Sequence, residues 1–287
     1  MSTSTTDQAY STCESITRTE AKNFYYGIRL LPAPKRVALC SLYALARRID
    51  DIGDCDAPVA ERSDRLASLR KSLGSIDEST DPVLAAVAET ARTFPVPLDA
   101  FYELVDGVEM DLAGVRYHDF QDLTIYCRRV AGSIGRLCLA IFGTGNDPRA
   151  PRFADQLGIA LQQTNILRDI REDLMNGRVY LPAQELDQFG VTLELDERGS
   201  LSDPEAHLAG YIEFAAARAE HWYDLGLRLV PELDGRSAAC CAAMAGIYHH
   251  LLQRIRQHPT SVYDRRMSLP PWEKGRVAIA ALTRTVI

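Results

Sequence analysis

The 287-residue sequence predicts a single all-α domain, and three observations carry that expectation. Apolar residues recur at three- and four-residue spacing in segment after segment. Short breaks containing Pro or Gly separate those segments. Alternating strand patterns and internal repeats are missing, which leaves helices packed on helices.

Taken in order, residues 1–14 are expected to form a flexible N-terminus, with the folded domain spanning 15–287. Glu20 to Leu31 reads as a short helix stopped by Pro32 and Pro34, which no helix interior accepts. A helix from about Lys35 to Asp54 follows, then Gly53, Asp56 and Pro58 mark a loop. Ala60 to Leu73, Pro82 to Thr93 and Leu98 to Ala113 have helical spacing. Phe120 to Phe142 reads as one long apolar helix, broken after Phe142 by Gly143-Thr144-Gly145-Asn146-Asp147-Pro148. A helix through Gln163 to Asp173 ends at Asn176-Gly177, because glycine just past a periodic segment is the usual stop. Arg178 to Ser202 is irregular, and Ala206 to Leu229, Ser237 to Gln257 and Pro271 to Leu282 complete the set.

Composition narrows the function. A net charge of −7 without a basic tract argues against nucleic acid as a partner. Seven scattered cysteines with no Cys-x-x-Cys pair fit a reducing cytoplasm. The start of the chain has neither the cationic nor the apolar character of a signal peptide. Its longest apolar stretch, Ala238 to Tyr248, is far short of the ~20 residues a membrane span needs.

Two acidic ridges stand out. At 100° per residue, Asn165, Asp169 and Asp173 form one stripe, flanked by Ile159, Ile166 and Ile170 on one side and Leu157 and Leu161 on the other. Like charges at i,i+4 repel, so an acidic ridge between apolar flanks calls for a compensating cation. Tyr43, Arg47, Asp50 and Asp54 share a second helix face, bordered by Leu39, Cys40 and Ala46. Facing each other, the ridges could hold hard divalent cations, Mg²⁺ above all, and through them a diphosphate. Lys22, Arg47, Arg48, Arg168, Arg171, Arg178, Arg265 and Arg266 could bind the remaining diphosphate oxygens, to which the arginine fork is suited.

Other features carry less. Gly143-x-Gly145 lacks the preceding strand and third glycine of a dinucleotide fingerprint and reads as a helix break. The six histidines show no metal-ligand spacing. Within Val130-Ala131-Gly132-Ser133-Ile134-Gly135, each interior glycine costs ~1 kcal/mol relative to Ala. That cost is explained either by tight helix packing or by a kink that makes room for a long ligand.

With both ridges placed, the chain resembles the squalene/phytoene synthase family, the head-to-head prenyl transferases. The resemblance runs from about Ala21 to Arg266 and is most specific at Tyr43 to Asp54, Tyr126 to Gly135 and Gln163 to Pro182. It implies an all-α isoprenoid synthase fold around a central cavity, with several Mg²⁺ ions (or Mn²⁺) and two prenyl diphosphates as substrates. By resemblance Asp50, Asp54, Asn165, Asp169 and Asp173 are the metal-binding set, and Tyr126, Asp50 and Asp169 the catalytic one. Lys22, Tyr43, Arg47, Asp111, Val130, Gly132, Arg168, Arg178, Tyr248 and Arg266 are the expected substrate-binding positions. Within the family, Asn23 to Pro32 and Ala46 to Asp54 are similar to the presqualene diphosphate synthases of hopanoid pathways. The implied reaction joins two farnesyl diphosphates into presqualene diphosphate without NADPH and passes the product to squalene-forming enzymes. Phytoene synthase, acting on geranylgeranyl diphosphate, is the alternative, and a non-catalytic assembly partner of the same fold is the other. The expected location is the cytoplasm, with peripheral contact at the inner face of the membrane.

Overall fold

The computed structural model describes residues 3–21, 23–144 and 147–286. Among them are fourteen α-helices: α1 (Thr3–Glu20), α2 (Tyr25–Ile28), α3 (Ala33–Asp54), α4 (Val59–Gly74), α5 (Pro82–Thr93), α6 (Asp99–Leu112), α7 (Phe120–Cys127), α8 (Ser133–Phe142), α9 (Ala150–Arg168), α10 (Ile170–Met175), α11 (Ala183–Phe189), α12 (Glu205–Gly226), α13 (Gly235–Gln257) and α14 (Pro271–Val286). Extended pairing among the described residues is limited to one isolated bridge between Leu195 and Leu201.

Local chemistry explains the boundaries. The Asp81 carboxylate accepts from the backbone N–H groups of Val83 and Leu84 and caps α5; Asp119 and Asp234 cap α7 and α13 in the same way. Gly177 closes α10 at φ +74°, the left-handed geometry that glycine adopts without strain.

Several expectations need correction. Of the stretch before Ser15, residues 3–14 belong to α1, and Ala9 and Cys13 pack into the core rather than forming a loose end. Glu20 to Leu31 is not one helix: α1 ends at Glu20 and only the four-residue α2 follows. Arg178 to Ser202 contains α11. The second ridge bends where α9 gives way to α10 at Asp169 (φ −106°, ψ 14°). The bend keeps the i→i−4 ladder, with Asp169 N–H donating to Asn165 O at 2.9 Å and Asp173 N–H to Asp169 O at 2.8 Å. The carboxylates therefore stay on one side.

The long apolar helix is interrupted by a π turn at Arg128–Gly132 between α7 and α8, a feature that recurs at functional sites. Close packing accounts for its glycines. A Cβ on Gly135 would stand 2.5 Å from Ala154 O, and one on Gly158 2.4 Å from Ala131 O. Helix α9 thus lies backbone to backbone against the π turn and α8. On its other sides α9 packs against α12 and α13.

Candidate active site

Two connected chambers open between α3, α6, α8, α9 and α13. The outer one, about 800 Å³, is polar. The inner one, about 300 Å³, is walled by apolar residues from Leu39 and Leu42 to Phe142 and Leu229. They meet at a rim formed by Phe24, Tyr43, Arg47, Asp50, Val130, Gln162 and Asn165.

Helix periodicity brings the ridges to this place. Asp50 and Asp54 are one turn apart on α3, and Asn165, Asp169 and Asp173 follow the inner side of α9 and α10, all lining the polar chamber. Tyr43, Arg47, Asp111, Tyr126, Val130, Arg168, Arg178, Tyr248 and Arg266 line it as well. Lys22 lies outside the described residues. Gly132 lines neither chamber: its Cα faces Asp155 of α9, so packing is its reason and not ligand contact. Of the arginine doublet, Arg266 reaches the site, whereas Arg48 pairs with Asp81 and Arg171 donates to Gly199 O.

The carboxylates divide by their partners. Arg178 Nη2 lies 2.8 Å from Asp54 Oδ1. Arg168 and Arg266 both hold Asp169, Arg266 through Nε at 2.7 Å and Nη2 at 3.1 Å. Burial alone would raise the Asp169 carboxyl, but the hydrogen bonds and charge of these two arginines outweigh it and hold it below the ordinary value. Among the described residues Asp50 and Asp173 have no such partner. Asp50 is exposed to the cavity, yet protein atoms crowd around its carboxyl. That desolvation, then the charge of Asp54, pushes it up to about 7. Desolvation followed by the charge of Asp169 takes Asp173 to about 7 as well.

A third group lies beside them. Asp111 accepts from Tyr126 Oη at 3.0 Å and from Tyr180 Oη at 2.8 Å, and the two rings stack with centroids 5.0 Å apart. Burial raises the Asp111 carboxyl, with the Tyr180 hydrogen bond and Arg178 opposing it. Tyr126 is raised well above its ordinary value, first by burial and then by Asp111, and is a neutral donor. Tyr180 and Gln162 are the residues that sequence reasoning did not assign. Gln162 was findable, being one turn before Asn165 on the same stripe. Tyr180 sits in the irregular stretch, where periodicity gives no signal.

The donor set fits hard cations on a structural ground. Four carboxylates and an amide face one polar chamber, and among the described residues two of the carboxylates have no ion-pair partner and Asn165 Oδ1 is buried with no hydrogen-bond partner. Among the described residues no three acidic, His or Cys side chains already converge on one point; Asp54 and Asp169 are turned to arginines instead.

A sequence profile of the squalene/phytoene synthase family matches residues 17–273. The chain belongs to that family. A phytoene synthase of Mycobacterium tuberculosis is 57% identical over 280 residues, covering 98% of this chain and 92% of that protein. Among solved structures, a dehydrosqualene synthase in complex with ligand superposes with a TM-score of 0.88 at 28% identity, over 97% of both chains. Squalene synthase HpnC from Alicyclobacillus acidocaldarius gives 0.79 at 31% identity, over 88% of this chain and 94% of that one. The all-α isoprenoid synthase fold and the head-to-head prenyl transferase family are thus established. The polar chamber and its apolar extension have the two characters that a prenyl diphosphate combines.

Proposed function

We propose that this protein condenses two geranylgeranyl diphosphates head to head and releases phytoene and two diphosphates. The observation that carries this reading is the 57% identity, across nearly the whole chain, to a protein named phytoene synthase. It reverses the order of the two products expected from the sequence. The presqualene diphosphate reading, with farnesyl diphosphate as substrate, stays as the second one because of the likeness to HpnC at 31% identity.

In this reading Asp50, Asp54, Asn165, Asp169 and Asp173 hold Mg²⁺, which when bound neutralises the diphosphate and lets it leave as an anion. Arg47, Arg168, Arg178 and Arg266 take the diphosphate oxygens that remain. The apolar chamber keeps water, the competing nucleophile, from the allylic cation. The double bond of the second substrate attacks that cation, and proton loss closes a cyclopropane. Loss of the second diphosphate, ring opening with rearrangement, and loss of another proton then give the C40 triene core without a reductant. Tyr126 is a neutral donor fixed on Asp111, so we assign it to holding that wall of the cavity and the released diphosphate to accepting the proton.

Incubation with each diphosphate and Mg²⁺, with and without NADPH, tests the assignment by product analysis. Phytoene from geranylgeranyl diphosphate is expected, independent of NADPH. Preferred turnover of farnesyl diphosphate with a C30 cyclopropyl diphosphate accumulating would transfer the assignment to the second reading.

A further inference from the structure

Among the described residues one non-glycine residue has a positive φ: Leu193, at +55°, in the connector 190–204 between α11 and α12. A residue with a Cβ is strained there, so something must hold it, and strain of this kind collects around functional sites. The holding group is Asp203, only 4% exposed. Its Oδ1 accepts from Thr192 N–H at 2.6 Å and from Thr192 Oγ1 at 3.0 Å, and its Oδ2 accepts from Leu193 N–H at 3.0 Å. One buried carboxylate thus fixes two successive residues of an otherwise irregular connector.

The strained residue is aimed at the second ridge. Leu193 is buried and shares a crevice of only about 10 Å³ with Ile170, Asp173, Arg178 and Tyr180. Asp173, Arg178 and Tyr180 also line the polar chamber; Leu193 does not, so it stands behind them. Further contacts fasten the connector around the ridge. Arg171 Nε of α10 donates to Gly199 O at 2.6 Å. Tyr263, three residues before Arg266, donates through its hydroxyl to Asp203 O and accepts from Leu201 N–H at its own carbonyl, both at 3.3 Å. The connector therefore grips α10 on one side and, on the other, the segment whose Arg266 holds Asp169. Helix α10 needs such support, because its six residues are too few to be stable on their own.

We propose that Asp203 is a positioning residue for the second acidic ridge. It holds Leu193 in the left-handed region, and the Leu193 side chain then braces Asp173, Arg178 and Tyr180 from the side away from the chamber. Neither Asp203 nor Leu193 lines the chamber, so both act through α10 and the residues that follow it. That the braced ridge holds a divalent cation rests on the function proposed above; the bracing itself does not.

Hydrogen–deuterium exchange of the full chain, without metal or substrate, tests the bracing. Asp203→Asn keeps an oxygen toward Thr192 but turns its N–H₂ toward the Leu193 N–H, and Leu193→Ala keeps the Cβ and removes the brace. In both variants the amides of residues 170–181 should exchange about tenfold faster or more, the scale of one lost hydrogen bond, while those of α3 and α12 keep their rates. Leu193→Met conserves volume and should exchange as the parent does. Mn²⁺ binding, followed by loss of the free-ion EPR signal, should weaken by about tenfold in Asp203→Asn and Leu193→Ala and stay unchanged in Leu193→Met. Faster exchange confined to the connector, or spread through every helix, would overturn the proposal. So would Mn²⁺ affinity equal to that of a binding-competent parent in both Asp203→Asn and Leu193→Ala. A parent that binds no Mn²⁺ would remove the metal reading, and the exchange arm, which contains no metal, would still decide whether Asp203 braces the ridge.

Discussion

Gly158→Ala should destabilise the protein even though it removes a glycine from the middle of a helix. Taken alone, such a change gains about 1 kcal/mol in a helix interior. At this position the new Cβ would stand 2.4 Å from Ala131 O, 2.6 Å from its carbonyl carbon and 2.7 Å from Gly132 N. All three are backbone atoms, so no rotamer change relieves the clash. Ordinary contact begins at 3.4 Å, and reaching it means parting α9 from the π turn by about 1 Å. Overpacking of this kind costs ~1–3 kcal/mol, and the separation also loosens the close approach of Gly135 to Ala154. With the helix gain subtracted, a net loss of up to about 2 kcal/mol is expected. Gly275→Ala is the matched control: it is also helical, and its Cβ would meet nothing within 4 Å. It should gain up to about 1 kcal/mol. Urea denaturation followed by far-UV circular dichroism should place the Gly158 midpoint below the parent and the Gly275 midpoint above it, with similar slopes. A Gly158 variant as stable as the parent would refute the claim that α9 lies backbone to backbone against the π turn.

Three further outcomes are expected. Asp50→Asn or Asp169→Asn should keep the fold and lower turnover by on the order of 10²-fold; near-parent rates at saturating Mg²⁺ would remove the metal role. Asp50 and Asp173, both near 7 in the protein alone, bind protons more tightly than in the unfolded chain. Their contribution to metal-free stability is full below about pH 4 and lost as pH rises through 7, whereas Mg²⁺ needs them ionised. Calorimetry should show Mg²⁺ affinity rising from pH 6 to 8 with proton release, and a flat profile would contradict the raised values. Tyr126→Phe leaves Asp111 with the Tyr180 donor and should slow turnover by roughly tenfold, the lower end of the cost of losing a hydrogen bond to a charged group. The pH–rate profile should keep its shape; disappearance of its basic limb would make Tyr126 an acid–base group instead.

The ridges were legible because a helix converts spacing directly into geometry. Asp50 and Asp54 share a face whatever α3 packs against, and Leu39 and Ala46 beside them announce that the face turns inward. The bend at Asp169 was not legible, because the i→i−4 ladder continues through it and no proline or glycine marks it. The start of α1 was misread for a different reason. Its polar composition predicts fraying, and only packing of Ala9 and Cys13 against the core holds it. Gly132 was ambiguous at the level of sequence, since a ligand and a neighbouring helix both require a missing side chain. Tyr180 depends on a tertiary contact with Asp111 that spans 69 residues, which no local pattern encodes.

The distribution of charge in the polar chamber argues for one kind of ligand over another. Asp54 and Asp169 are matched by Arg178, Arg168 and Arg266, while Asp50, Asp173 and the Asn165 carbonyl oxygen are not matched among the described residues. An anion alone would satisfy the arginines but release two carboxylates into a desolvated site, which is costly. A cation alone would satisfy the carboxylates and leave three arginines uncompensated. A ligand that brings both signs lets each Arg–Asp pair separate into two new ionic contacts while Asp50 and Asp173 gain the partner they lack. Binding of diphosphate and divalent cation should therefore be strongly interdependent in this chamber, each tightening the other. The inner chamber contributes little to that exchange, being apolar apart from the rim. Its role is to discriminate by the length and shape of the hydrocarbon that follows the diphosphate inward.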